Sequence, residues 1–481
     1  MTLRKSLAWS FSQEFIQKGV RIAGSIMIAR LLTPDEVGVF SIAMAANFLL
    51  NSVREFGVGT YLIREPELTY DKVRTVFGLT LLIQWTLGAA LLLLRFPIAD
   101  LYGQPGIADV LALVAITFFF APFGQPAIAL LRRDMRFDQL HHIGTAEVLV
   151  GTGTGVWLAT LGYSYMALAW GLLASTVTRV ALTLAARRDH LRLRPGLRHW
   201  REVLQFGGWL TVAGLFGTIA VEGRKLVLGG IINPGTVALY ERAQMIPQMS
   251  RQTLFMPVGR VLLPSFSKNV REGVSIGPGV EMYVAATTAI IWPAFLTIGF
   301  IAVPVTVLLF GDNWRTAGEI LPYILGSAAI VAALPQPEQV LTPHGAVRRL
   351  AAIRFVQVTG ALSFAALGSL HSLELFAALL IPTAAVFSLA VYLSIRSMMG
   401  TGLRRLAPFY AKAAILSAPC AAPAFWAYIE YGNSLPIGPL LAAAGSAVPI
   451  WFAGLFILRH PLSGEIAPMV AWLHSRVKPP K

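Results

Sequence analysis

Apolar stretches long enough to cross a bilayer recur from one end of this chain to the other, and nothing else in the sequence limits the fold so strongly. A hydrocarbon core of ~30 Å is crossed by ~20 helical residues. Such runs lie near 6–32, 37–63, 73–95, 107–131, 140–161, 163–186, 203–232, 236–265, 280–310, 317–341, 347–369, 371–396, 406–430 and 436–458. The spacing predicts about fourteen transmembrane helices and an all-α polytopic membrane protein. The run at 280–310 is long and holds Pro293 and Pro304, so a break is expected there. Of the 481 residues, 56% are hydrophobic and 13% charged, a balance foreign to water-soluble domains. No long polar segment leaves room for a soluble catalytic domain. The single cysteine, Cys420, excludes an intramolecular disulfide and a cysteine-built metal site. At the start, Gln13, Glu14, Gln17, Lys18 and Arg21 interrupt any signal-peptide core, so this stretch reads as a retained first helix.

The formal net charge of +15 is organised by topology. Lys and Arg gather on alternate connections: Arg4 and Lys5; Arg64, Lys72 and Arg74; Arg132, Arg133 and Arg136; Arg187 through Arg201; Lys268 and Arg271; Arg348 and Arg349; Arg396 to Arg405; and the tail after Arg459. The opposite connections hold Arg30, Arg95, Arg315 and little else. The positive-inside rule then places both termini in the cytoplasm. Membrane lipids, not nucleic acid, are the expected counterpart of this charge.

An internal echo divides the chain. Residues 29–40 (ARLLTPDEVGVF) align without gaps on 229–240 (GGIINPGTVALY), pairing Pro34 with Pro234, Val37 with Val237 and Phe40 with Tyr240. Both copies sit at a hairpin between long apolar helices. An even number of spans precedes each, so the copies enter the membrane in one orientation, as parallel repeats do. The expected organisation is a six-helix lobe over 1–186, a cytoplasmic linker at 187–202, a second six-helix lobe over 203–396, and two extra helices with a tail over 397–481.

Charges and amides inside the repeat-leading helices are costly in hydrocarbon and normally face a bundle interior or a wet cavity. Ser10, Gln13, Glu14, Gln17, Arg21 and Ser25 form one helical stripe; Asn47, Asn51, Arg54 and Glu55 form another. Glu222, Arg224 and Lys225 lie on the seventh span, and Glu241, Arg242, Gln244, Gln248, Arg251 and Gln252 on the eighth. Structural pairing, such as Glu222 with Arg224, is the plain alternative for any single residue. Together the stripes predict a hydrated cavity with excess positive charge. Arg21, Arg54, Arg224, Lys225, Arg242 and Arg251 are the candidate anion-binding residues, with Gln17, Asn47, Asn51, Gln244, Gln248 and Gln252 as polar lining. Arginine's planar fork suits phosphate oxygens, so a phosphate-bearing substrate is expected. Glu14, Glu55, Glu222 and Glu241 are candidates for ion coupling; Glu147, Glu338 and Glu374 are further acids the sequence does not separate from structural ones. Gly151, Gly153 and Gly155 read as a packing motif rather than a phosphate loop, because no Lys-Ser/Thr follows. No metal-binding, nucleotide-binding or hydrolase motif is present, and no cofactor is expected.

Three stretches carry a resemblance: ARLLTPDEVGVFSIAMA (29–45), EFGVGTYLIRE (55–65) and ALYERAQMIPQMSRQTLFMPVGRVLLPSFSK (238–268). With the span number and the repeat, they resemble the polysaccharide transporter family of the MOP flippase superfamily, most of all its Wzx-type exopolysaccharide and O-antigen exporters. That resemblance implies a MATE-like pair of lobes in pseudo-two-fold repeat working by alternating access in the bacterial inner membrane. The implied cargo is an undecaprenyl-diphosphate-linked oligosaccharide. The implied cavity is cationic, and the C-terminal helix pair could form a groove for the polyprenyl tail. A polymerase and export machinery are implied as possible partners, with the transporter itself a monomer driven by an ion gradient as an antiporter. Glu241, where relatives often carry a neutral residue before the arginine, departs from the pattern. A peptidoglycan-precursor flippase and a multidrug exporter of the same superfamily are the competing readings. The excess of bases weighs against cationic drugs. A membrane glycosyltransferase or polymerase would need a larger outer loop than these connections provide.

Overall fold

The structure, a computed structural model, describes residues 3–54, 61–63, 65–187, 194–252 and 256–464, with side chains from residue 16 onward and outside 52–60, 205–214, 253–261 and 347. Among these residues the secondary structure is helical throughout. In chain order the helices are α1 (Leu3–Leu31), α2 (Pro34–Arg54), α3 (Tyr70–Leu101), α4 (Gly106–Phe120), α5 (Gln125–Arg133), α6 (Phe137–Thr160), α7 (Tyr165–Ala186), α8 (Trp200–Ile231) and α9 (Pro234–Ser250). They continue with α10 (Met256–Arg271), α11 (Gly277–Phe300), α12 (Ala302–Phe310), α13 (Arg315–Ala332), α14 (Pro337–Leu341), α15 (Val347–Ser369), α16 (Leu373–Ile395), α17 (Leu403–Tyr431) and α18 (Ile437–Ile457).

Eight described segments are long and apolar enough to cross a bilayer by themselves. The striped helices α1, α2 and α8 run partly through residues whose side chains lie outside the described set, and α9 has 17 residues. Large apolar side chains lie exposed along the crossing helices, Leu93, Trp170, Phe355 and Ile457 among them. An outward apolar surface of this extent is stable when lipid is the solvent, and the fold is an all-α polytopic membrane fold of two lobes.

The chain divides into two compact units, Met1–Leu239 and Tyr240–Lys481. In the first, α6 packs along α7 and α1, α3 along α4, and α8 along α2. Small residues set these approaches. A Cβ on Gly171 would stand 2.7 Å from the Gly151 carbonyl oxygen, and one on Gly151 would meet Ser175, so the glycine motif on α6 is where α7 comes closest.

The two echoed turns meet inside the first unit. Each starts a helix with a capping residue followed by proline, whose missing N–H costs nothing at the first helical position. At the first turn, Thr33 and Glu36 bond reciprocally: the Thr33 N–H donates to Glu36 Oε2 at 2.8 Å, and the Glu36 N–H to Thr33 Oγ1 at 3.4 Å. At the second, Asn233 Oδ1 accepts from the Thr236 N–H at 2.9 Å. A Cβ on Gly38 would lie 2.0 Å from the Pro234 carbonyl oxygen, and one on Gly235 would lie 2.1 Å from Asp35 Oδ1. Val237 and Ile42, both fully buried, close the contact beside Gly229. The echo in the sequence thus marks two turns that touch.

The described part of the connection before α8 is strapped to the start of α3. The Gly196 N–H donates to the Arg74 carbonyl at 3.0 Å, Arg74 Nε donates to the Arg194 carbonyl at 3.1 Å, and Arg198 pairs with Asp71 at 3.1 Å. Tyr61 donates to Glu202 at 2.8 Å beyond it.

In the second unit α11 packs on α17 and α13, and α16 on α15 and α13. The expected break in the 280–310 run falls at Ile301, between α11 and α12. The C-terminal pair is docked on α11: Trp451 Nε1 donates to the Ala289 carbonyl at 2.6 Å, and Thr297 Oγ1 to the Cys420 carbonyl at 3.3 Å. Little of α18 is buried, and its remaining surface is apolar.

Candidate functional site

Within each unit the described charged side chains gather into groups. In the first unit Gln17 and Arg21 stand one turn apart on α1. Gln17 Nε2 donates to Thr145 Oγ1 on α6 at 3.1 Å, and Gly24, nearly two turns on, lets α1 approach Thr152. Arg21 is exposed, and its charge reaches Glu147 on α6. Glu147 also faces Arg179 of α7 at 3.6 Å. Among the described residues, two guanidiniums here face one carboxylate.

The second group lies along α2 and α8. Lys225 and Glu222 are both buried and pair at 2.8 Å, with the Lys225 ammonium 5.9 Å from the centre of the Phe48 ring. Arg224, on the neighbouring side of α8, donates from Nε to the Ala220 carbonyl at 2.9 Å. Asn47 is buried, and its Oδ1 and that of Asn51 accept no hydrogen bond among the described residues. Amides on this seam therefore hold unused acceptors beside a matched ion pair. Arg54 ends α2, but its side chain, like that of Glu14, lies outside the described residues, as does Glu55 entirely.

In the second unit Arg242 is bracketed by two rings, its guanidinium carbon 4.8 Å from the Phe310 centroid and 4.6 Å from that of Trp314. Cation–π attraction favours a guanidinium so placed. Glu241 is half-buried next to it on α9. Gln244 donates to the Tyr240 hydroxyl at 2.7 Å, and Tyr240 sits edge-on to Phe376. Gln248, Arg251 and Gln252 are exposed where α9 gives way to a π-helical turn.

A further group here includes residues absent from the sequence-based candidates. Arg354 on α15 pairs with Glu338 on the short α14 and donates from Nη1 to Gln357 Oε1 at 2.5 Å. Arg251 lies near enough for its charge to act on Arg354. Arg179 was legible in one respect: it is the lone arginine inside an otherwise apolar span, where an ionisable residue marks a functional position by default. Arg354 follows Arg348 and Arg349 on α15 and lacks that signal, and the pairing of either arginine with Glu147 or Glu338 was not legible. No group of His, Cys, Asp and Glu suited to a metal occurs among the described residues.

The described helices thus form an all-α polytopic membrane fold that carries arginine groups and amides with open acceptors. Known proteins share that fold. The structure superposes on the lipid II flippase MurJ in an inward closed conformation with a TM-score of 0.75, covering 95% of this chain and 99% of that one at 11% identity. It also matches an inward-facing multidrug-resistance MATE transporter of the MOP superfamily, with a TM-score of 0.57, over 82% of this chain and 96% of that one at 13% identity. Residues 27–319 match the family described as polysaccharide biosynthesis protein, and the chain belongs to that family. Relatives include the lipopolysaccharide biosynthesis protein WzxC of Escherichia coli, 24% identical over 65% of this chain and 64% of that protein. The succinoglycan biosynthesis transport protein ExoT of Rhizobium meliloti is 23% identical over 77% of this chain and 76% of that one.

Proposed function

We propose that this protein is a flippase that moves undecaprenyl-diphosphate-linked oligosaccharide repeat units from the cytoplasmic to the periplasmic leaflet of the bacterial inner membrane, for exopolysaccharide, capsule or O-antigen assembly. The observation that carries this reading is the surplus of arginine over carboxylate in groups on the membrane helices of a polysaccharide-biosynthesis family member: Arg21 with Arg179 against Glu147, and Arg251 with Arg354 against Glu338. Charges are kept inside a bilayer only where something polar uses them. A diphosphate requires paired positive charge, sugars require amide partners such as Asn47 and Asn51, and a polyprenyl tail can stay in lipid.

On this reading both termini are cytoplasmic, and the working lobes span 1–186 and 203–396, joined by the linker at 187–202. The cargo exchanges sides by alternating access. An ion gradient supplies the energy, and the polymerase and export machinery take up the product. The strap that ties Gly196 and Arg198 to α3 holds the start of α8 to the first unit, so rearrangement would have to begin farther along α8.

The test is leaflet-specific. Removing the gene is expected to trap lipid-linked repeat unit in the cytoplasmic leaflet, read by protection of its glycan from a periplasmic glycosidase. Arg251→Glu should reproduce the trap at normal protein abundance. Unchanged surface glycan in the deletion strain rejects the reading. A lethal deletion accompanied by accumulated peptidoglycan precursor would transfer it to that cargo.

A further inference from the structure

Between Arg74 and Arg95, residues 75–94 of α3 carry no charge, and they supply the ~20 helical residues that a hydrocarbon core of ~30 Å takes. The core therefore starts near Thr75, and Tyr70 to Arg74 lie in the headgroup layer. The connection before α8 meets α3 at that boundary. The Gly196 N–H donates to the Arg74 carbonyl at 3.0 Å, and the His199 N–H donates to Thr75 Oγ1 at 3.3 Å. Gly78, one turn deeper than Arg74, gives the connection room: a Cβ there would stand 2.2 Å from the Gly196 carbonyl oxygen. Residues 194–199 are thus seated level with the headgroups rather than beyond them.

Two kinds of side chain face outward at that level. Tyr70, Leu197 and Trp200 are 63%, 50% and 44% exposed, although none lies in the stretch that lipid tails cover. Arginines stand by two of them: Arg74 is 5.9 Å from the Tyr70 ring centre, and Arg201 is 5.3 Å from that of Trp200. Arg198, its side chain 79% exposed, pairs with Asp71, which Arg74 also approaches at 3.6 Å. Arg201 is exposed and has no carboxylate partner among the described residues. Indole and phenol rings settle at headgroup depth, and a guanidinium takes two oxygens of a phosphate. Rings and forks in one layer match a phospholipid, and the surplus charge selects an anionic one. An acidic soluble protein would have to reach into the headgroup layer to cover this face; a lipid is already there.

We propose that residues 194–201 are a membrane-seated element, in which Arg198 and Arg201 bind the phosphate of an anionic phospholipid while Leu197 and Trp200 enter the boundary of its acyl chains. The start of α3 fixes the depth of the element, and the lipid covers it. Arg201 contributes more than Arg198, because Asp71 already holds Arg198. The connection into α8 is thereby tied to the bilayer as well as to α3, and the inference is independent of the cargo.

The test uses the full chain with Leu197→Cys, labelled with an environment-sensitive fluorophore; Cys420 is buried and stays unlabelled. The protein is placed in nanodiscs of phosphatidylcholine with rising phosphatidylglycerol. The label is expected to become shielded from acrylamide and to be quenched by lipids carrying a nitroxide near the headgroup. Arg201→Gln should need about fivefold more phosphatidylglycerol for half the effect, the weight of one basic residue at an anionic surface. Arg198→Gln should shift it less. A label that stays open to acrylamide at high phosphatidylglycerol overturns the proposal and leaves the face to a soluble partner. An unshifted midpoint in the double variant Arg198→Gln/Arg201→Gln overturns it too. Inorganic phosphate added in detergent should leave the label unchanged; an equal response would mean a free-phosphate site instead of a lipid one. If Leu197→Cys does not elute as a monodisperse species, Tyr70→Cys, exposed at the same level on α3, takes its place in every arm.

Discussion

The two interrupted helices differ in backbone and in chemistry: a 3-10 turn and a helical Gly124 lead into Gln125 in one, whereas an extended Gln336 precedes Pro337 in the other. Around Pro126 the restarted helix is lined by Ala127, Ala129 and Leu130, all buried, and the break is an apolar joint. Around Pro337 the joint carries Glu338, half-exposed and ion-paired across to α15. The first unit places its own pair, Glu147 with Arg179, elsewhere, on two long helices with Arg21 near by. The ionic equipment is thus distributed unequally between the two units.

That contrast can be broken most forcefully by moving the acid. Ala127→Glu puts a carboxylate at a fully buried point with no arginine in the matching place, and should destabilise by roughly 3–5 kcal/mol, the cost of an uncompensated buried charge. Thermal unfolding in detergent would check it; a neutral result would mean the two joints are electrostatically alike. The meeting turns give the next effect. Gly38→Leu drives a side chain into the Pro234 backbone and should cost about 1–3 kcal/mol, whereas Gly235→Leu confronts the Asp35 side chain, which can swing away, and should cost less. Equal losses would contradict the geometry.

Converting the second joint to the first is expected to be mild. Glu338→Ala leaves Arg354 its bond to Gln357 and should change stability by no more than about 1 kcal/mol, since the pair is partly exposed. A larger loss would give the pair a structural role. The smallest effect separates the turns by pH. Burial pushes the Glu36 carboxyl up, but hydrogen bonds from Ser164 and Thr33 more than offset it and hold the group below its ordinary value. A lowered carboxyl contributes stability that is present above its unfolded pKa and lost as pH falls through the folded one. Acid should therefore loosen the first turn by up to about 1 kcal/mol, the size of one cap, and leave the Asn233 turn untouched. Glu36→Gln should abolish the difference, as read by hydrogen exchange at Val37 and Val237.

Much of this was legible in residue order. The apolar runs announced the helices, because a helix in lipid must satisfy its backbone internally over a length the bilayer sets. The long run at 280–310 signalled its break, and the echo of 29–40 in 229–240 marked turns that share a capping logic. Polar stripes on α1, α2, α8 and α9 were visible because side chains three and four apart share a face.

Partner choice was not legible. Nothing in the order of residues joins Glu147 to Arg179 or Glu338 to Arg354, and nothing sets Phe310 and Trp314 against Arg242. Lys225 and Glu222, neighbours by helical spacing, could be paired from sequence; Lys225 over Phe48 could not. Local periodicity and the thickness of the membrane act along the chain, so the sequence alone determined where helices run and which faces are polar. Which charges meet depends on how helices distant in sequence pack, and only the tertiary structure decided that.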